Sequence, residues 1–303
     1  MKTWHRPLLL TAAAMVVLTI VVLVAMLFDH REVTGVNLWM KPLKFSLSVG
    51  IYSLTLSWLI TQVTRARRLA WAAGTVAAIG LLVEMVIIVG FAVIGETSHF
   101  NVTNALHTAL WAVMAVSITV VWMVTLVIGI VLFRSRIGDP ARTLAIRAGV
   151  VLALVGMALA FLMTGPTAAQ LDNYQGIVGA HTVGLADGGP GLPVLGWSTV
   201  AGDLRIPHFI GIHALQVLPI VAILLELLRV SAARRFRLMW IATGAYAAVL
   251  VLVTMQAIAG ESIVQPSGLT VVAASTILVV ALGSAVAVLR VPSKETTRES
   301  AVR

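Results

Sequence analysis

The stretch PLLLTAAAMVVLTIVVLVAMLF, Pro7–Phe28, decides the fold class: it runs for 22 residues without a charge. A helix rises about 1.5 Å per residue, so about 20 apolar residues cross the hydrocarbon core of a bilayer. Seven further stretches qualify, near Pro42–Val63, Leu69–Ile94, Ala105–Phe133, Thr143–Thr164, Ile206–Val230, Leu238–Gly260 and Leu269–Leu289. The expected fold is all-α integral membrane, with eight transmembrane helices. Composition agrees. Of 303 residues 59% are hydrophobic and only 11% charged, with mean hydropathy +1.01. A soluble domain carries roughly 25% charged residues, so this chain could not cover its own surface in water. The first stretch is too long for the core of a signal peptide and no small-residue cleavage site follows it, so it reads as a retained helix. The chain has no cysteine, which excludes thiolate chemistry, an iron–sulfur cluster and a disulfide framework.

Lys and Arg set the orientation. Lys2 and Arg6 precede span one, Arg65, Arg67 and Arg68 separate spans two and three, and Arg134, Arg136, Arg142 and Arg147 separate four and five. Arg229, Arg234, Arg235 and Arg237 separate six and seven, and Arg290, Lys294, Arg298 and Arg303 follow span eight. This places 17 of the 21 basic residues on one side, leaving Arg31, Lys41, Lys44 and Arg205 on the other. The positive-inside rule then puts both termini in the cytoplasm. The net charge of +9 is therefore a topology signal. No basic face with interleaved aromatics exists, and no nucleic-acid partner is expected. The expected partner is the lipid bilayer.

Two motifs recur. Ala92–Ser98, AVIGETS, and Ala257–Ser262, AIAGES, share Ala-x-x-Gly-Glu at an offset of 165. Met40–Phe45, MKPLKF, and Leu204–Phe209, LRIPHF, align at an offset of 164. The chain reads as a parallel duplication of four plus four helices, residues 1–136 and 137–303. The second copy differs by a long loop, residues 165–205, rich in Gly and Pro but also holding Tyr174, Leu192 and Trp197. Loops of this length are functional or disordered, and its apolar content favours a lid.

Six of seven histidines fall toward the non-cytoplasmic side: His30, His99, His107, His181, His208 and His213. From rise per residue, His107, His213 and Glu84 lie roughly 10–13 Å below that surface and could share a layer. Ionisable groups at such depth face a cavity or a partner. Glu84 and Glu96 are the candidate catalytic or proton-transfer groups, His107 and His213 candidate cofactor ligands, and His99 and His208 candidate metal ligands. His208 and His213 are about 140° apart around a helix, so neither adjacent pair chelates alone. A site needs imidazoles from both halves, which could hold a haem or a transition metal. Lys41, Lys44 and Arg205 could attract an anionic substrate or headgroup, or snorkel. Asn101 and Thr103 are N-cap candidates for span four, and Glu226 and Arg229 stand at i, i+3 spacing for a structural pair.

The segments NLWMKPLKFSLS (Asn37–Ser48), GETSHFN (Gly95–Asn101) and GDLRIPHFIGIHALQ (Gly202–Gln216) resemble a family of uncharacterised bacterial multi-span membrane proteins. That resemblance implies a bacterial plasma-membrane location and no catalytic assignment. A purely architectural similarity links the chain to haem A synthase, whose eight spans form two four-helix halves with haem-ligating His in each. This sequence departs from it: at the motif offset His213 aligns with Val49 and His107 with Val272, and the acidic span-two region and Cys-containing loop are missing. The readings in play are a haem- or metal-binding membrane oxidoreductase acting on an apolar substrate such as a quinone or isoprenoid, a proton-coupled secondary transporter, and a non-catalytic assembly or lipid-binding protein. No nucleotide-binding motif is present.

Overall fold

A computed structural model gives the fold and describes residues 3–33, 35–228 and 230–290. In chain order it contains α1 (Arg6–Phe28), β1 (Glu32–Val33), β2 (Val36–Asn37), α2 (Met40–Gln62), α3 (Arg67–Ile94), α4 (Ala105–Phe133) and α5 (Pro140–Leu159). A 3₁₀ turn (Ala160–Met163) extends α5, and then follow α6 (Ala168–Asp172), β3 (Thr182–Val183), β4 (Gly202–Asp203), α7 (Arg205–Leu227), α8 (Ala232–Ile258) and α9 (Gly268–Arg290). Eight helices, all but the short α6, are long and apolar enough to span a membrane. Lys2, Arg229, Lys294, Arg298 and Arg303, counted above among the orienting residues, lie outside the described residues.

Capping chemistry sets the ends. α5 starts three residues before the expected Thr143 because the Asp139 carboxylate accepts from the Ala141 and Arg142 N–H groups and Pro140 needs no partner. α8 starts six residues before the expected Leu238 because Ser231 caps it by accepting from Arg234 N–H. α4 is capped by Asn104, whose Oδ1 accepts from His107 N–H at 2.9 Å, not by Asn101 or Thr103. Asn101 instead ties the preceding loop, donating to Thr97 O at 3.0 Å and Glu96 Oε2 at 3.3 Å. α3 and α8 end alike. Gly95 (φ +80°) and Gly260 (φ +77°) take the left-handed conformation that a glycine adopts without a Cβ penalty. The N–H groups of Glu96 and Glu261 then close back on Phe91 O and Gln256 O.

The helices pack as pairs, α1 on α2, α3 on α4 and α5 on α7, with α4 against α5 joining the two sets. The main core draws Leu8, Leu56, Leu59, Ala77, Leu132, Ile146 and Leu215 from six helices. Large apolar side chains such as Val86, Leu106, Leu224 and Val279 stay exposed on the outside, and α9 has no buried residue. In water that surface would be untenable; in lipid it needs no partner. α5 and α7 approach closely through glycines. A Cβ on Gly156 would lie 2.4 Å from Gly211 Cα, and one on Gly149 would lie 2.8 Å from Ala214 O. At the arginine-rich end Glu226 binds Arg142 of α5, at 2.5 and 2.9 Å; Arg229, its expected partner, lies outside the described residues. Antiparallel helices put Arg142 opposite Glu226, where both guanidinium nitrogens reach the carboxylate.

At the opposite end residues 165–204 form an ordered cover. Thr167 and Gln170 make a capping box at α6, and the Gln170 amide clamps Gly179 through both its N–H and its carbonyl. Val102 N–H donates to Gly176 O and Val178 N–H to Phe100 O, which stitches this loop to the α3–α4 connection. β3 pairs antiparallel with β4 and returns the chain to the start of α7.

Candidate functional site

Under this cover lies a cavity of about 1790 Å³ bounded by α2, α3, α4, α5 and α7. Its lower wall is apolar, with Leu81, Met114, Val121, Met157 and Ile212. Its upper wall is polar. Ile118 of α4 (40% exposed) and Phe161 of the 3₁₀ turn (48% exposed) add to its apolar lining.

Five of the six candidate residues line this cavity: Glu84, Glu96, His99, His208 and His213. His107 does not. Its Nδ1 stands 2.9 Å from Thr103 Oγ1 and 3.3 Å from Glu96 Oε2, and its ring packs edge-on to Phe91 at 5.0 Å. The reason is its position two residues past the start of α4, where the capping turn draws the imidazole back against α3. His107 and His213 are therefore not brought together, whereas His99, His181, His208 and His213 share one cavity.

Each of these four imidazoles is anchored at Nδ1. His181 Nδ1 bonds Asp187 Oδ2 at 2.5 Å, His208 Nδ1 donates to Gly156 O at 2.8 Å, and His213 Nδ1 meets Gln216 Oε1 at 3.2 Å. His99 Nδ1 meets the Ser98 hydroxyl at 3.2 Å. Among the described residues no Nε2 of these four has a hydrogen-bond partner. A ring that donates through Nδ1 holds the tautomer whose Nε2 is a base. The aromatic frame is equally specific. Phe100 (φ +65°) wedges between His181 at 5.0 Å and Trp111 at 5.3 Å, while His99 packs against Trp111 at 5.4 Å and Phe45 at 5.5 Å.

His181 and Asp187 were not among the sequence candidates as a pair. Asp187 accepts from the backbone N–H groups of His181 and Thr182 and from the Thr182 hydroxyl, so its carboxylate is fixed before it reaches the imidazole. Burial pushes the Asp187 carboxyl upward, but the His181 and backbone donors outweigh it and hold it well below the usual range. Burial lowers His181 against the opposing pull of Asp187, and burial with nearby Lys41, His181 and His208 lowers His99 further. Both shifts favour the neutral ring. Six residues of separation with Gly184, Gly188 and Gly189 nearby were the sequence signal, but it specifies a turn, not a dyad.

Three cations complete the wall. Lys44 Nζ donates to Leu195 O at 2.9 Å, and Arg205 binds Asp203 through Nε at 2.9 Å and Nη2 at 2.6 Å while Nη2 also donates to Gly196 O. Lys41 lies within electrostatic reach of Lys44, Glu84 and Arg205. Neither Glu84 nor Lys41 makes a side-chain hydrogen bond among the described residues.

No protein-family model, no curated protein and no solved structure matches this chain. The site therefore has to be read from its own chemistry. Among the described residues no group of three or more His, Cys, Asp and Glu side chains is placed to hold a metal ion. The arrangement offers Nδ1-anchored imidazoles beside three cationic side chains, above a largely apolar chamber.

Proposed function

We propose that this chain is a multi-pass protein of a bacterial plasma membrane, with both termini cytoplasmic, that binds a membrane-dissolved amphiphile in this cavity and acts on its polar end by proton transfer. The observation that carries the reading is the single cavity that joins a largely apolar lining, Ile118 and Phe161 included, to a wall of Nδ1-anchored imidazoles. An apolar substrate such as an isoprenoid or a quinol enters from the bilayer and keeps its tail against α4 and α5. Its head reaches His181, whose neutral Nε2 takes a proton from a hydroxyl while Asp187 stabilises the imidazolium that forms. Glu84, Glu96, His208 and His213 are further positions for proton transfer along the same wall.

The reading of residues 1–136 and 137–303 as two copies belongs here too. It is supported by the equivalent ends of α3 and α8, and by a similar side-chain-to-backbone turn ahead of α2 and α7, displaced two residues from the offset of 164. Trp39 N–H bonds Asn37 Oδ1 at 2.9 Å and Arg205 N–H bonds Asp203 Oδ1 at 3.0 Å. Glu96 contacts His107, and Glu261 contacts Thr270 at 2.7 Å, at the same turn of α4 and α9. This register makes Thr270, not Val272, the counterpart of His107.

A second reading, a haem-bearing oxidoreductase, is favoured by the same anchored rings. Imidazoles that ligate iron through Nε2 characteristically donate their other nitrogen to a carbonyl or carboxylate, as His208 and His181 do. With no three-residue metal set among the described residues, haem is the form this reading takes. Two measurements on protein purified in nanodiscs decide. Saturable binding of a long-chain amphiphile, weakened when Ile118→Trp fills part of the cavity, is expected; no saturable binding to the wild type refutes the cavity reading. A Soret band carrying stoichiometric haem selects the second reading, and a colourless stable protein removes it.

A further inference from the structure

Two cations of the cavity wall, Lys44 and Arg205, share one carboxylate, Asp203, which lies within electrostatic reach of the first and is bonded to the second. Asp203 is fully buried and spends both oxygens on Arg205 and on Ser198 N–H. Asp187 is committed to His181 and Thr182. Glu84 lies within electrostatic reach of Lys41. Lys44 has none of these as a hydrogen-bonded partner: its ammonium bonds only the Leu195 carbonyl. A charge withdrawn from water at membrane depth requires a counter-charge or a polar cavity.

Where that counter-charge would sit is marked by Gly196, in the left-handed region at φ +66°. A Cβ on Gly196 would lie 3.5 Å from Lys44 Nζ and 3.9 Å from Arg205 Nη1. The two cations therefore flank one small gap that a side chain at residue 196 would fill. Arg205 Nη1 has no hydrogen-bond partner among the described residues, although Nε and Nη2 of the same group are both used. Lys44 bonds one acceptor and an ammonium carries three donors. These unused donors face the chamber that also holds the His181 base.

We infer that the amphiphile taken by this cavity carries a compact anionic head, a phosphate monoester or a carboxylate on one apolar chain, seated between Lys44 Nζ and Arg205 Nη1. The inference rests on the proposed amphiphile-binding function and names its substrate class. Asp203 holds the Arg205 fork rigid, so Nη1 is presented in one place. Lys44 supplies the mobile charge, and Gly196 supplies the space. Lys41 adds positive potential without a fixed bond.

The test uses full-length protein in nanodiscs of zwitterionic lipid and three probes of equal chain length: hexadecyl phosphate, hexadecanoate and hexadecanol. Quenching of tryptophan fluorescence reads binding, with Trp111 and Trp197 in the cavity wall. Charge-assisted hydrogen bonds should give an anionic probe at least about tenfold tighter binding than the alcohol. Which anion binds better separates phosphate from carboxylate. Lys44→Gln should bring anion and alcohol within about twofold of each other. If Lys44→Gln misfolds for want of the Leu195 contact, Lys44→Arg should keep the preference, and Arg205→Lys, which keeps the charge but loses the presented Nη1, should reduce it. Equal binding of alcohol and anions by the wild type overturns the anionic-head inference while leaving the amphiphile reading intact. A preference that survives Lys44→Gln overturns the assignment to this cradle. Failure of all three probes to bind refutes the underlying function instead.

Discussion

Gly211→Ala is the sharpest structural test of how the site is held. A Cβ at residue 211 would lie 2.3 Å from Gly156 Cα and 2.9 Å from Gly156 N. These are backbone atoms, so no rotamer can yield, and α5 and α7 would have to part by more than 1 Å to restore the 3.4–4 Å of ordinary contact. Forcing a methyl into a packed interior costs about 1–3 kcal/mol. The separation also stretches the bond from His208 Nδ1 to Gly156 O, now 2.8 Å, and a net hydrogen bond is worth about 0.5–1.5 kcal/mol. Each kcal/mol lowers a melting midpoint by about 2–4 °C in chains somewhat smaller than this one. A fall of several degrees is expected in detergent at one scan rate. Gly244→Ala on α8 is the control: nothing lies within 4 Å of its Cβ position, and helix propensity alone should favour alanine by up to about 1 kcal/mol. Cavity binding should weaken in Gly211→Ala and not in Gly244→Ala, since α7 carries Arg205, His208 and His213. A Gly211→Ala protein that melts at or above the wild type would show that the glycine contact is not what sets the α5–α7 distance.

Other outcomes follow from the same geometry. Gly179 sits at φ +120° with its Cβ position 2.5 Å from Met163 O and 2.7 Å from Phe100 Cδ1, so Gly179→Ala should free the cover and expose residues 165–204 to limited proteolysis that spares the wild type. Glu226→Gln should cost about 1 kcal/mol or less, because both partners at the Arg142 pair are partly exposed; a double-mutant cycle on the melting midpoint with Arg142→Gln measures the coupling. Stability should fall in acid. The lowered His181 and His99 resist protons that the unfolded chain accepts below its ordinary value of 6.5, so their contribution is complete above that pH and is lost as pH drops through it. The depressed Asp187 adds a further loss only below its ordinary 3.8. His99→Asn should flatten the slope of melting midpoint against pH between 7 and 5; a midpoint that rises toward acid would reverse the assignment of neutral folded-state rings.

Span number was legible because lipid imposes one simple rule, an uncharged run of sufficient length, and Ala105–Phe133 obeyed it to the residue. Ends governed by caps were less so. Asp139 and Ser231 extend α5 and α8 into arginine-rich sequence that hydropathy alone assigns to loops. The candidate histidines were found by their bias toward one end, but the choice among them required knowing which way each ring turns. His99 and His107 differ by eight positions and lie on either side of one capping turn. Only the first enters the cavity, because Phe100 in the left-handed region aims the chain inward before Asn104 starts the helix.

The residues that sequence reading missed all involve the long loop, and that is where the two proposed copies differ most. Between α1 and α2 the chain turns through the two-residue strands β1 and β2 and offers Asp29 only to Arg31, Trp39 and its own turn. Between α5 and α7 a much longer connection brings His181, Asp187 and Gly196 over the cavity. A dyad made within an insertion leaves no periodic trace, since neither partner belongs to a helix face or a strand alternation. Lys44 shows the complementary case. It is visible as a lysine at a span entrance, where snorkelling explains it; only the long loop shows the Leu195 carbonyl bonded to its ammonium. If the two copies share an ancestor, the chemistry arrived with the loop: replacing residues 166–201 by a short turn should leave a stable helical body that binds long-chain alcohols as well as it binds alkyl phosphates. A loop-deleted protein that still prefers the anion would return the selectivity to Lys41 and the helices, and would separate the cradle from its cover.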